Sequence, residues 1–154
     1  MRIRLLGPGD EPVLAALARD EAAFDLAGRG LSRPALEPAA AAGYLADAHV
    51  LHWVAEEDRG VVGHLLCQVQ RRRAGEAAQL MLYEIGVRDD RRRRGIGTAL
   101  VAEMDRWMRA AGIERVWVLA DNEGAETFYE ACGFSRDERQ PVQMSRRVRA
   151  DASR

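Results

Sequence analysis

The residues with the clearest chemical potential form a short segment in the second half of the chain. Four consecutive arginines, residues 91–94, precede glycines at positions 95 and 97, and a helical pattern follows. Free backbone N–H groups at a helix start carry partial positive charge, and glycine lets an anion approach the backbone closely. The segment therefore predicts a phosphate site; the alternative is a solvated basic turn. It is not a P-loop, and Leu100 occupies the third glycine position of a Rossmann motif.

Two other side chains are candidates for acid and base chemistry. Residues 80–87 are almost wholly apolar, as in a central strand, and Glu84 interrupts them. A carboxylate in a buried strand is costly unless it is paired or protonated. Glu84 is therefore either a general base or half of a structural ion pair with an arginine. Tyr129 follows Phe128 on a short predicted helix, and core packing alone also explains that pair.

The remaining reactive side chains follow no recognisable pattern. His49, His52 and His64 are separated and lack metal-ligand spacing, so we expect them in the core or on a hairpin surface. The chain has only two cysteines, Cys67 and Cys132, which argues against a disulfide framework. We therefore predict no metal site and a reducing, cytoplasmic location.

Length and charge limit the class of protein. The chain has 154 residues, so we expect one domain over residues 1–148 and a disordered tail over 149–154. All 23 basic residues are arginine, and the net charge of −1 argues against general nucleic-acid binding. No apolar run approaches the roughly 18 to 20 residues that span a bilayer, so no membrane interaction is expected.

The pattern along the chain predicts an α/β domain with a mixed sheet. Apolar residues at positions 96, 100, 104, 107 and 108 form the face of the clearest helix. The segment 25–38 carries two glycines and two prolines and is predicted to be a loop. Strands are predicted at 2–6, 50–56, 61–70, 78–87, 115–120, 134–136 and 142–147. Helices are predicted after Asp10 and at 39–48, 95–111 and 124–132.

Two segments resemble signatures of the GNAT (GCN5-related) N-acetyltransferase superfamily. Residues 92–97, RRRGIG, are similar to its Arg/Gln-x-x-Gly-x-Gly/Ala signature, which follows a strand. Residues 122–134, NEGAETFYEACGF, resemble its Asn-x-x-Ala-x-x-x-Tyr-x-x-x-Gly-Phe pattern. The resemblance covers nearly the whole chain. It implies an α/β GNAT fold: a mixed, mostly antiparallel sheet with a splayed central parallel strand pair, flanked by about four helices.

The resemblance implies acetyl-CoA as co-substrate and assigns residues to it. The coenzyme pyrophosphate would lie on the amides of the basic loop, and the pantetheine arm would bind the strand at 85–87. Glu84 would be the base, directly or through water, and Tyr129 the acid that protonates the departing thiolate. The implied coenzyme-binding residues are Ile85, Gly86, Val87, Arg92, Arg93, Arg94, Gly95, Ile96, Gly97, Thr98, Asn122 and Tyr129.

Within the superfamily, the chain is most similar to type I aminoglycoside 3-N-acetyltransferases. The resemblance lies in Tyr83-Glu84, in the strand ending Ala120-Asp121, and in the helix and strand at 43–56. It implies that Tyr83, Glu84, Asp121 and Glu123 bind a small cationic amine. The chain departs from these enzymes in two respects. Glutamate stands at position 84 where they have aspartate, and the segment 121–129 is shorter than theirs.

Other functions remain open at this stage. The alternative acceptors are a polyamine, a small amine or a protein N-terminus, and the alternative of another class is a non-catalytic CoA-binding regulatory domain. A homodimer is compatible with the resemblance, although no interface signature is evident.

Overall fold

The structure is a computed structural model that describes residues 1–24, 34–58, 60–138 and 142–146. These residues form one five-stranded sheet in the order β1-β2-β3-β4-β5. The strands are β1 Arg2–Leu5, β2 Val50–Glu57, β3 Gly60–Gln70, β4 Gln79–Val87 and β5 Val116–Val118. The α-helices are α1 Glu11–Arg19, α2 Pro38–Ala46, α3 Ile96–Ala111 and α4 Glu123–Ala131. Short 3₁₀ turns lie at Glu21–Ala23 and Asp89–Arg91.

Three of the four strand pairings are antiparallel, and the pairing of β4 with β5 is parallel. The parallel pairing is short, since it begins at Leu80↔Val116 and ends at Leu82↔Val118. β4 continues to Val87 beyond that point. The two strands therefore separate at their carboxyl ends, as the predicted splayed pair requires.

One face of the sheet is covered by α3. The predicted apolar stripe is confirmed, since Leu100 and Met104 are fully buried in the core with Leu65 and Leu82. Burial of each such side chain contributes roughly 1.5–3 kcal/mol. A Cβ at Gly63 would lie 2.8 Å from Cγ2 of Ile96, so glycine allows the helix start to approach β3.

A β-bulge in β4 reverses the direction of its later side chains. Leu82 pairs with Cys67 and Glu84 pairs with Leu66, so Tyr83 has no opposite residue on β3. Because strand side chains alternate, residues 82 and 84 would point to the same face without the extra residue. With it, Glu84 lies on the face opposite α3, while Ile85 and Val87 return to the core.

The structure corrects the end of the predicted topology. Residues 134–136 and 142–146 are not in strands, so the two final strands predicted there are wrong within the described residues. Most of the predicted loop at 25–38 and the tail at 149–154 lie outside the described residues. None of the described helices is long and apolar enough to cross a bilayer.

Candidate active site

The start of α3 is built to leave backbone N–H groups uncovered. Its N-cap is Gly95, in the left-handed conformation with φ of 77°, and no side chain of a described residue caps the helix. A Cβ at Gly95 would meet nothing within 4 Å, so the space beside the loop is open. Arg93 also has positive φ, 58°, a backbone conformation that occurs in turns whose N–H groups bind anions. This arrangement fits a bound anion.

The four arginines before this helix have different roles. Arg92 donates from Nε to the Val87 carbonyl (3.1 Å) and pairs with Asp89, so its guanidinium fastens the loop to the end of β4. Arg91 is similarly paired with Glu57, at 3.1 Å. Arg93 and Arg94 are exposed. The positive charge available to an anion therefore comes chiefly from these last two arginines.

Gly97 and Thr98, both predicted to bind coenzyme, contact the carboxyl-terminal helix. A Cβ at Gly97 would lie 3.0 Å from Cε2 of Phe128, so packing against α4 is sufficient reason for glycine here. The Thr98 side chain is hydrogen-bonded to that of Cys132. Ile96, between Gly95 and Gly97, is buried in the core and can offer only its backbone.

Glu84 lies on the opposite face of the sheet, beside His64. Its side chain is 33% exposed, and its Oε1 lies 4.0 Å from Nε2 of His64. Among the described residues, Glu84 thus lies close to a histidine, His64. Tyr83, the bulged residue next to it, is 53% exposed and therefore accessible to a substrate.

Tyr129 is buried in the core beside α3. Its ring packs against Phe128 and Phe134, with centroid separations of 5.4 Å in each case. Burial, with a smaller contribution from Asp121, raises the pKa of Tyr129 to about 12. The hydroxyl therefore stays protonated at neutral pH, as a proton donor must.

Asn122 and Asp121 lie between β5 and α4. Oδ1 of Asn122 accepts the Ala125 N–H at 2.9 Å and caps α4, while Nδ2 donates to Asp121 at 2.7 Å. The side chain of Asn122, which the resemblance assigned to pantetheine binding, is thus the N-cap of α4. Asp121 and Glu123 are exposed, as a substrate-binding role requires.

Two histidines and a tyrosine that the sequence analysis did not assign to the site lie near Glu84. Tyr44 Oη is 3.0 Å from Nδ1 of His52, and the His52 and His64 rings are 5.6 Å apart. Burial, with the neighbouring His64, lowers the pKa of His52 to about 3, while Glu84 acts in the opposite direction. Counting register from the turn of the β2–β3 hairpin would have placed the two histidines on opposite faces, because a β-bulge between Ala55 and Glu56 shifts the pairing by one residue.

Comparison with known proteins defines the class. The Acetyltransferase (GNAT) family matches residues 18–134, and the chain therefore belongs to this family of N-acetyltransferases. An uncharacterised N-acetyltransferase of Methanocaldococcus jannaschii is 33% identical over 94 residues. That match covers 56% of this chain but only 39% of the relative's length.

Solved structures share the fold over almost the whole chain. An aminoglycoside acetyltransferase from an uncultured soil metagenomic sample is 25% identical, with a TM-score of 0.82 over 96% of both chains. A ribosomal-protein-alanine N-acetyltransferase of Brucella melitensis biovar Abortus 2308 is 20% identical. Its TM-score is 0.71 over 94% of this chain and 100% of that chain. The predicted fold and enzyme class are thus confirmed, and the two relatives act on different amines.

Proposed function

We propose that this enzyme acetylates an aminoglycoside, at the 3-amino group of the central aminocyclitol, and so confers resistance in the cytoplasm. The observation that carries the proposal is the likeness to an aminoglycoside acetyltransferase over 96% of both chains, at a TM-score of 0.82. The alternative acceptor, a protein N-terminus, has weaker support, because the likeness to the ribosomal-protein-alanine N-acetyltransferase has a lower TM-score, 0.71, and only 20% identity.

Carboxylates near the separated strand ends support a cationic acceptor. Glu84 lies on β4 just past the last parallel pair, and Asp121 follows the end of β5. Glu123 and the exposed Tyr83 complete the proposed substrate-binding set. Carboxylates in a cleft attract polycations, and this attraction weakens with salt.

Acetyl-CoA would bind from the α3 side of the gap. The open start of α3 suits the pyrophosphate, held by amides of residues 92–97 and by Thr98, with charge from Arg93 and Arg94. The part of β4 beyond the parallel pairing, Ile85 to Val87, can accept the pantetheine as an added strand. Asn122 would contact the pantetheine only with groups not used in its helix cap.

The two proposed catalytic side chains lie on opposite faces of the sheet, with Tyr129 in the core beside α3 and Glu84 on the face away from α3. Glu84 removes a proton from the ammonium group, and the amine attacks the thioester carbonyl. A backbone N–H near Ile85 donates to the oxyanion. The carbon–sulfur bond would then break, Tyr129 would protonate the thiolate, and the second amine proton would leave the amide nitrogen and restore the Tyr129 hydroxyl, through water if the two are not in contact. The Tyr129 hydroxyl is protonated at neutral pH, although burial raises its pKa to about 12 and makes it a weaker acid than an exposed tyrosine.

The acceptor is tested by thiol release from acetyl-CoA with three amines: a gentamicin-type aminoglycoside, spermidine and an alanine-initiated peptide. We expect the highest kcat/KM with the aminoglycoside, and NMR of the product should locate the acetyl group on N3. Faster turnover of the peptide or of spermidine would overturn the aminoglycoside assignment but leave the acetyltransferase class intact.

Glu84→Gln tests the base. The variant keeps the side-chain shape but cannot take a proton, so kcat should fall by about 10²- to 10⁴-fold. Glu76→Gln, an exposed carboxylate on the β3–β4 connection, is the control and should keep the full rate. A fully active Glu84→Gln enzyme at neutral pH would exclude Glu84 as the base.

A further inference from the structure

The face of the sheet that carries Glu84 also carries a row of polar side chains. Register places His52, His64 and Glu84 on the same face of β2, β3 and β4, and Tyr44 reaches the row from α2. Oε1 of Glu84 lies 4.0 Å from Nε2 of His64. At the other end of the row, Oη of Tyr44 lies 3.0 Å from Nδ1 of His52. The row thus runs across three strands and ends at the proposed base.

The fold holds the His64 imidazole against β4 at a defined place. A Cβ at Gly86, the residue opposite His64 on β4, would lie 2.5 Å from Nε2 of His64. The ring therefore occupies space that any other residue at position 86 would fill. On its other sides the ring meets the Phe24 ring edge-on, with centroids 5.3 Å apart, and His52. Packing from three directions limits its rotation.

Among the described residues, the titratable groups facing His64 come from three elements. They are Glu84 on β4, His52 on β2 and, through His52, Tyr44 on α2. Asp20, on the turn before Phe24, pairs with Arg88 (3.9 Å). Because the pKa of His52 is about 3, that ring stays neutral and does not compete for the carboxylate.

We propose that His64 is a positioning residue for Glu84, held in place by Gly86, Phe24 and His52. This inference rests on the proposed role of Glu84 as the base. A neutral imidazole can donate from Nε2 to the carboxylate, and so can an imidazolium, so either form can hold the Glu84 side chain in one orientation. Catalytic hydrogen bonds commonly shorten when substrate binds, so a 4.0 Å contact is compatible with a working hydrogen bond.

His64→Leu and His64→Gln separate this role from simple packing. Leucine fills the site but cannot hydrogen-bond, and kcat should fall about 10- to 100-fold, the size of effect expected when a reacting group is misplaced by about 1 Å. The KM for acetyl-CoA should stay within about twofold, because the coenzyme site lies on the other face. Glutamine places an N–H near the position of Nε2 and should restore most of kcat.

The decisive measurement is a double-mutant cycle with Glu84→Gln. If His64 acts through Glu84, His64→Leu should have little further effect on kcat in the Glu84→Gln enzyme. Equal fold losses in both backgrounds, or no loss in the single variant, would overturn the proposal. His49→Leu, an exposed histidine outside the row, is the matched control and should keep the full rate. A fully active Glu84→Gln enzyme would instead refute the base assignment itself.

Discussion

The two helices that follow the parallel strands begin in opposite ways. α3 follows β4 and starts at Gly95, with no side-chain cap and no acidic residue in its first turn. α4 follows β5 and starts at Asn122, which caps Ala125, with Glu123 and Glu126 in its first turn. The second helix compensates its own positive end, whereas the first leaves that end for an external anion. The absence of a side-chain cap at α3 among the described residues is therefore an observation that supports the proposed phosphate site.

The largest effect should come from closing the α3 start with a charge. Thr98 is the third residue of α3 and is exposed, so Thr98→Glu places a carboxylate where the pyrophosphate is proposed to bind. Acetyl-CoA affinity should fall on the order of 10- to 100-fold, since two like charges about 4 Å apart near a protein surface repel by about 1 to 4 kcal/mol.

Stability should change little in the same variant. A carboxylate in the first turn stabilises a helix by about 0.3–1 kcal/mol, which offsets loss of the hydrogen bond between Thr98 and Cys132, so the melting temperature should stay close to that of the wild type. Calorimetry measures the affinity, and thermal unfolding measures the stability. Thr127→Glu on α4 is the matched control, because Thr127 is an exposed threonine on a different helix. Undiminished coenzyme affinity in Thr98→Glu would refute the pyrophosphate assignment.

An intermediate effect is expected at the capped helix. Asn122→Ala removes the acceptor for the Ala125 N–H, and loss of such a cap lowers the free energy of unfolding by about 1 kcal/mol. For a domain of this size the melting temperature should fall by about 2–4 °C. Asn122→Ser keeps a capping oxygen and should restore most of the stability.

The same pair of variants sharpens the comparison of the two helices. If Asn122 also binds pantetheine, the KM for acetyl-CoA should rise in both variants. If the residue only caps α4, KM should be unchanged in Asn122→Ser. The second result would remove Asn122 from the proposed coenzyme-binding set.

The smallest effect is expected from a single exposed arginine. Arg94→Ala removes a charge near the α3 start without breaking a contact in the loop, and acetyl-CoA affinity should weaken a few-fold, about 2- to 5-fold. The difference from wild type should shrink at about 1 M salt, where charges are screened beyond about 3 Å. Arg106→Ala, farther along α3 and paired with Glu103, is the control. A salt-independent loss would contradict an electrostatic role.

The local features of the coenzyme site could be predicted from the sequence because they depend on neighbouring residues. The two glycines and the apolar stripe place the start of α3 within one residue of its position in the structure. The same reasoning failed for the predicted strands at 134–136 and 142–147, whose apolar residues form no strand within the described part. Strand pairing requires a partner edge, which a local pattern does not reveal.

The sequence by itself determined the class of this enzyme, the open helix start and the presence of an acidic residue in the central strand. Only the tertiary structure decided which face that residue occupies, because the bulge at Tyr83 arises from pairing with β3 and reverses Glu84 relative to Leu82. It also decided the role of Arg92, whose guanidinium forms an ion pair with Asp89 and donates a hydrogen bond to the Val87 carbonyl. His64 and Gly86 are 22 positions apart in the chain but directly opposite in the sheet. Contacts of that kind depend on strand register, which long-range packing sets.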